Sequence, residues 1–383
     1  MSKVKLGDVA IESRETYKGD KSGLPIVGLE HITPEEVTLS NWATDTENTF
    51  TKMFRKGDIL FGRRRAYLKK AAQAPFDGIC SGDITVIRAK ADKLLPDLLP
   101  FIIQNDDLFD FAVGKSAGSL SPRVKWENLK NYAFELPSLD EQKKLAEVLW
   151  SINDTIQAYQ NLLVETDELV KSQFVEMFGD AEKNDFQWEY VHLGEISFIT
   201  KLAGFEYTKH IHYQDSGDII MIRGLNCKGT KLILDDIKWI DKETSDQLPR
   251  SKLSAGDIVI TYVGTVGEIA LIDKDDKYHL APNVAKLSLH DKHRDNPAFW
   301  AYMLMISRDY LVRFATSTTQ AALNMDKIRK IGFIRPPVDK QNIFVNFLYE
   351  TDKSKFALQS AITSLQATKR SIIDEAFGIR RKE

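Results

Sequence analysis

The sequence predicts an α+β protein built from two tandem globular blocks. Each block is a twisted sheet with packed helices, and two long helices separate the blocks, able to pair as an antiparallel coiled-coil spacer or, in the plainer alternative, each to pack onto its own domain. Three observations predict this: the chain repeats itself at a long period, a heptad pattern follows each repeat, and short β-rich runs follow Gly-Asp pairs inside each block.

Val4-Lys5-Leu6-Gly7-Asp8-Val9 returns as Val191-His192-Leu193-Gly194-Glu195-Ile196, an offset of 187. Gly57-Asp58-Ile59 returns as Gly256-Asp257-Ile258, an offset of 199, and Phe178-Gly179 returns as Phe377-Gly378 at the same offset. So do Leu136-Pro137 through Asp140-Glu141-Gln142, as Arg335-Pro336 through Asp339-Lys340-Gln341. The change in offset puts 12 extra residues early in the second copy. Such a period is too long for a solenoid, so each copy is a domain plus an appendage. The resulting segments are 1–140, 141–180, 185–338 and 339–383.

In the first appendage apolar residues fall at Leu145, Leu149, Ile152, Ile156, Tyr159, Leu163 and Val170, the seam of one long helix. Asp140 is a candidate N-cap and Gly179 a candidate stop. The second has Phe344, Leu348, Leu358, Ile362, Leu365 and Ile372, interrupted by Thr351, Ser354 and Lys355. A helix of ~33 residues would be roughly 50 Å long.

Inside the blocks, Asp58–Gly62, Asp83–Ile87 and Asp257–Thr261 read as buried strands preceded by Gly-Asp turns. Asn296-Pro297 opens an apolar helix expected to run to about Phe314, with Leu95–Val113 as its counterpart. Gly264-Thr265-Val266-Gly267 reads as a tight turn and Asp273–Lys277 as a solvated hairpin turn.

At 383 residues, with 43% hydrophobic and 28% charged content, the chain has material for more than one packed core. The charged N-terminal sequence argues against secretion, no apolar run approaches the ~18 residues of a membrane span, and a cytoplasmic protein is expected. Two cysteines, Cys80 and Cys227, exclude a disulfide framework and a thiolate zinc cage from this chain alone. Net charge is -3, unevenly spread. Residues 1–140 and 185–338 each hold 20 bases and 20 acids, residues 141–180 hold 3 and 8, and residues 339–383 hold 8 and 6.

Catalytic and metal motifs are missing. The chain has no phosphate-cradling G-x-x-x-x-G-K-[ST] and no H-E-x-x-H. His210 and His212 would share a face only on a strand, and no third ligand stands near them. Asn296-Pro297-Ala298-Phe299 is a near miss of the N-P-P-[YF] loop of amino-methyltransferases, and the apolar helix behind it favours plain N-capping.

The basic run is the informative feature. Between Lys52 and Lys70 stand eight bases and one acid, and the run ends in Arg63, Arg64, Arg65, Tyr67, Lys69 and Lys70. Arginine forks can pair a guanine edge, while lysines on phosphates supply affinity without sequence preference. Ser121, Arg123 and Lys125 form a second polar stretch before the first long helix. In the second copy, Tyr262 and Thr265 replace the arginine-rich loop, while Thr319, Gln320 and Asn324 replace the later stretch. All are candidate DNA contacts, and the copies differ where a base would be read.

Taken in this order and twice over, these motifs resemble the specificity subunit of type I restriction-modification systems, across essentially the whole chain. The resemblance rests on Leu6-Gly7-Asp8 and Leu193-Gly194-Glu195, Gly57-Asp58-Ile59-Leu60 and Gly256-Asp257-Ile258-Val259, and Leu136–Gln142. Phe61–Lys70 and Phe76–Asp83 also resemble one subclass of the family's target recognition domains. It implies two target recognition domains, each reading half of a split, asymmetric site on double-stranded DNA. The helices would act as ruler and as docking surface for two methyltransferase subunits. S-adenosylmethionine, ATP and Mg would belong to those and to restriction/translocase subunits, leaving this chain non-catalytic and without a cofactor. Lys340 departs from the pattern, standing where the first copy has Glu141. The residues alone leave two other readings: a fused methyltransferase or nuclease with an unrecognised site, and a protein–protein scaffold that binds no DNA.

Overall fold

The computed structural model describes residues 2–44, 48–180, 183–317 and 321–379. The chain forms two compact units, Met1–Leu162 with Ala357–Glu383, and Leu163–Phe356. Each unit takes one globular block and part of each long helix.

The first unit holds an antiparallel sheet in the order Ala10–Glu12, Ile84–Ala89, Ile59–Gly62, Ala71–Gln73. A second sheet places Gly78–Cys80 between Ile26–Val27, parallel to it, and Lys52–Phe54, antiparallel. The second unit repeats the first sheet as Ser197–Lys201, Val284–Leu289, Ile258–Thr261, Ile269–Leu271. Its other sheet runs Lys238–Ile240, Ile219–Ile222, Tyr278–Leu280, Lys252–Leu253. Lys238–Ile240 runs antiparallel to Ile219–Ile222 where the described residues of the first unit hold a single antiparallel bridge, Ala43 on Ile26.

The Gly-Asp pairs form the turns the sequence predicts. Gly57 and Gly256 adopt φ of +88° and +86°, a region open to glycine at little steric cost. The following aspartates close the turns, Asp58 accepting from the Arg55 N–H at 2.8 Å and Asp257 from the Ser254 N–H at 2.9 Å. Both carboxylates are buried and partnered, Asp58 by the Arg88 fork at 2.7 and 2.8 Å, Asp257 by the Ser288 hydroxyl at 2.6 Å. An unpaired buried carboxylate would cost several kcal/mol, roughly.

Four expectations are corrected. The helix expected over Leu95–Val113 is broken into Leu99–Ile103 and Asp106–Gly114, because Asn105 accepts from the Leu108 N–H at 2.7 Å and starts the chain afresh. Its counterpart stops at Ile306 and resumes at Arg308. Asp273–Lys277 joins strands of two different sheets and is no hairpin turn. His210 ends the helix Gly204–His210 and lies on no strand, so it shares no strand face with His212. Asn296 does cap its helix, its Oδ1 accepting from the Ala298 N–H at 2.9 Å.

The long helices span Leu139–Phe178 and Val338–Ala376, so Asp140 lies inside the first helix and is not its cap. The polar interruption leaves the second one continuous, since the Thr351 and Ser354 hydroxyls bond back to the carbonyls of Phe347 and Glu350. Each start is fixed by a buried glutamine. Gln142 accepts from the Leu95 N–H at 2.8 Å and donates to the carbonyls of Lys93 and Pro137. Gln341 accepts from the Asn296 N–H at 2.8 Å and donates to those of Arg294 and Pro336.

In the first unit, Ala146 and Leu149 near the start of one helix join the core that holds Ile373 and Phe377 near the end of the other. In the second, Phe174 and Phe178 pack on Phe344, again end against start. Each unit thus sets the start of one long helix against the end of the other, as an antiparallel pair requires. Cys80 and Cys227 are buried, and burial pushes both thiols up to about 12, so neither is a reactive thiolate. Among the described residues no helix is long and apolar enough to cross a membrane.

Candidate nucleic-acid interface

The basic run leaves the sheet at Gly62, the last residue of a buried strand, and re-enters at Ala71. Between them the chain makes a loop held by the Gly62 N–H on the Lys70 carbonyl at 2.8 Å. Two residues of that loop, Arg65 and Lys69, adopt left-handed φ of 54° and 52° around the short 3-10 turn Ala66–Leu68. The loop is therefore a fixed platform, and its side chains have separate fates.

Arg64 and Arg123 are brought together by a backbone bridge between their own residues, 59 positions apart in the chain. Their guanidinium groups converge on one carboxylate. Arg123 Nε donates to Asp83 at 2.8 Å, Arg64 Nη1 donates to Asp83 at 3.3 Å, and Arg64 Nε donates to the Ser121 hydroxyl at 2.8 Å. The hydrogen bond from Arg123 holds the Asp83 carboxyl below its ordinary value. Both arginine side chains remain about two-fifths exposed, at 38% and 42%.

Arg65 is exposed and Tyr67 is 55% exposed. Lys125 is exposed at the start of the short helix Trp126–Leu129. The remaining bases are more engaged: Lys69 pairs with Asp106 at 2.5 Å, and Lys70 Nζ donates to the Leu29 carbonyl at 2.7 Å. Lys70 thus ties loop to scaffold. Arg63 donates its backbone N–H to the Asp83 carbonyl at 3.0 Å, while its buried Nε meets no partner among the described residues. It lines an open groove of about 840 Å³ shared with Arg14, Lys52, Asp83, Lys125 and Trp126.

The second unit has the same backbone. Tyr262 donates its N–H to the Asn283 carbonyl at 3.0 Å, as Arg63 does to Asp83, and Val263 bridges Ala322 as Arg64 bridges Arg123. The side chains differ. Tyr262 is 8% exposed, belongs to the core, and lies under the Lys201 ammonium at 4.9 Å, so its ring supports the loop from beneath. Thr265 is exposed in a turn whose flanking Gly264 and Gly267 take φ of 85° and 86°. Asn324 caps the helix Met325–Lys330, accepting from the Lys327 N–H at 2.7 Å. Thr319 and Gln320 lie outside the described residues.

Sequence reasoning missed Asp83, which stands in a Gly-Asp pair and carries the signal of a turn former. No local pattern marks it as the partner of two arginines. Among the described residues no group of three or more His, Cys, Asp or Glu is placed to hold a metal ion.

The chain matches the family model of the type I restriction modification DNA specificity domain twice, over residues 1–165 and 186–365. It is 27% identical over 170 residues to the type I restriction enzyme EcoDI specificity subunit of Escherichia coli, covering 41% of this chain and 38% of that one. It is 23% identical over 283 residues to the EcoBI specificity subunit of the same organism, covering 65% and 58%. The chain thus spans under two thirds of the length of these two relatives. Among solved structures, a chain from work on complex assembly and conformational transition of the type I R-M system superposes with a TM-score of 0.61 at 20% identity, covering 98% and 97%. The S subunit of a type I system from M. genitalium superposes with a TM-score of 0.58 at 13% identity, covering 99% and 96%. Those likenesses carry the fold; the two family matches, one on each copy of the repeat, place this chain in the type I restriction modification DNA specificity family.

Proposed function

We propose that this chain is the non-catalytic DNA-reading subunit of a type I restriction-modification assembly. Each domain reads one half of an asymmetric bipartite site on double-stranded DNA. The long helices dock two methyltransferase subunits, which supply S-adenosylmethionine and methyl transfer to a flipped adenine. Restriction/translocase subunits bring ATP and Mg, and the assembly works in the cytoplasm.

One observation carries this reading. The two units keep the backbone bridge behind the candidate loops, and at the matching positions Arg64 and Arg123 give way to Val263 and Ala322. Scaffold repeated with divergent loop chemistry is what two readers of different half-sites require. Within the first unit, Arg64 and Arg123 are suited to base edges, and Arg65, Lys69 and Lys125 to phosphates.

The test is selection of duplexes from a random pool by the full chain with its methyltransferase partners. A split motif with unlike halves is expected. Affinity should fall steeply between 50 and 200 mM salt, by roughly a thousandfold or more if six phosphates are neutralised. Recovery of unenriched sequence with flat salt dependence would favour a scaffold that binds no DNA.

A further inference from the structure

We infer that Asp83 is the specificity-determining positioning residue of the first unit, holding Arg64 and Arg123 as a preassembled clamp for a guanine edge. The inference rests on the DNA-reading function proposed above and goes beyond it by assigning the discrimination to a carboxylate.

Three separate segments meet here: the loop after the buried strand at Arg64, the turn before Ile84 at Asp83, and the stretch before the first long helix at Arg123. Two guanidinium groups brought this close would repel, and one carboxylate between them offsets that repulsion while fixing both planes. Arg123 presents Nε and Nη2 to Asp83, at 2.8 and 3.4 Å, and Arg64 presents Nη1. Nη1 of Arg123 and Nη2 of Arg64 meet no partner among the described residues and remain available to acceptors such as guanine O6 and N7.

Stability does not explain the cluster. Its arginines are part-exposed, and exposed ion pairs contribute little to folding. The second unit supplies an independent observation. All three members change together, to Val263, Asn283 and Ala322, while the hydrogen bond from residue 262 to the carbonyl of residue 283 persists. A trio that disappears as a set from an otherwise repeated backbone serves the loop's chemistry and not its fold.

The clamp makes a prediction of opposite signs. In Asp83→Asn the two guanidinium groups lose their anchor and their neutralising charge. Binding of random-sequence duplex should therefore tighten, with a steeper salt dependence, while discrimination between the selected site and one with a guanine changed in the first half-site should fall roughly tenfold or more. Discrimination at the second half-site should be unchanged. A merely structural residue would weaken both kinds of binding together, and that outcome, or unaltered discrimination in both half-sites, would overturn the assignment.

The experiment uses the full chain with its methyltransferase partners and the duplex selected by the wild type. A wild type that selects no motif would refute the DNA-reading function itself, separately from the clamp. Should Asp83→Asn fail to fold, Arg123→Ala takes its place, since Arg64 then keeps Asp83. It should lose discrimination at one base of the first half-site only, and full retention there would overturn the clamp.

Discussion

Gln142 in one unit and Gln341 in the other each accept from one backbone N–H and donate to two carbonyls, residue for matching residue. Arg64 and Arg123 meet Val263 and Ala322 at their matching positions. Both pairs of sites belong to the same duplicated scaffold. A buried amide with every group satisfied is costly to alter, because any change strands a polar partner. An exposed side chain on a fixed loop changes at little cost to stability. The difference teaches that duplication here retained the means of holding the helices and left the loops open to new chemistry.

The sharpest test of the retained part lies in the core. Phe174 touches Phe178, Phe299, Tyr302 and Phe344 with ring centroids 5.0 to 5.9 Å apart. Phe174→Ala is expected to destabilise the second unit by roughly 3–5 kcal/mol. Ile373, at the repeat offset of 199, fills the matching slot of the first unit. Ile373→Ala should cost less, toward the low end of about 2–5 kcal/mol. Denaturant unfolding with a probe in each unit measures both, and equal losses would contradict the aromatic-versus-aliphatic distinction.

Gln142→Ala and Gln341→Ala should each destabilise their own unit by about 1–3 kcal/mol, since a buried backbone N–H loses its acceptor. Similar losses are expected in the two units. A large loss in one and none in the other would break the equivalence of the junctions.

Arg64→Ala should cost about 1–3 kcal/mol for one base of one half-site, while Arg65→Ala should weaken binding to all sequences and lower the salt slope by about one. Binding titrations on single-base variants at several salt concentrations separate the two. A uniform loss from Arg64→Ala would move that residue from base to phosphate.

The mildest effect is a pH dependence confined to one unit. His279 is buried, and burial holds its imidazole below the ordinary value. The strand pairings align it with Ile79, which cannot titrate. On unfolding, His279 regains a value of about 6.5. The unfolded state therefore binds the extra proton, and stability of the second unit is lost as pH falls below about 6.5. Unfolding midpoints between pH 8 and 5 should show that decline, and His279→Gln should flatten it; an unchanged slope would assign it to other groups.

Much of this architecture was legible in the sequence because its signals are local or repeated. Gly57 and Gly256 with their aspartates, the heptad seam from Leu145, and the Asn296 cap each act within a few residues. What was not legible depends on distant segments. The parallel pairing of Ile26 with Ile79 joins strands over 50 residues apart. Asp273–Lys277 looks like a hairpin turn because its composition is that of one, yet the strands it joins enter different sheets. At the candidate interface the basic run was visible as charge. Its sorting was not: Lys70 ties to the Leu29 carbonyl, Tyr262 turns into the core, and Asp83 gathers two arginines only when the loop and the later stretch are brought side by side.

The most direct measurement is an adenine-methylation map of the host genome with this gene present and with it deleted. Deletion should erase methylation at one split, asymmetric motif, and returning the gene should restore it. An identical map in both strains, with a methyltransferase partner shown to be expressed and bound to this chain, would contradict the DNA-reading function.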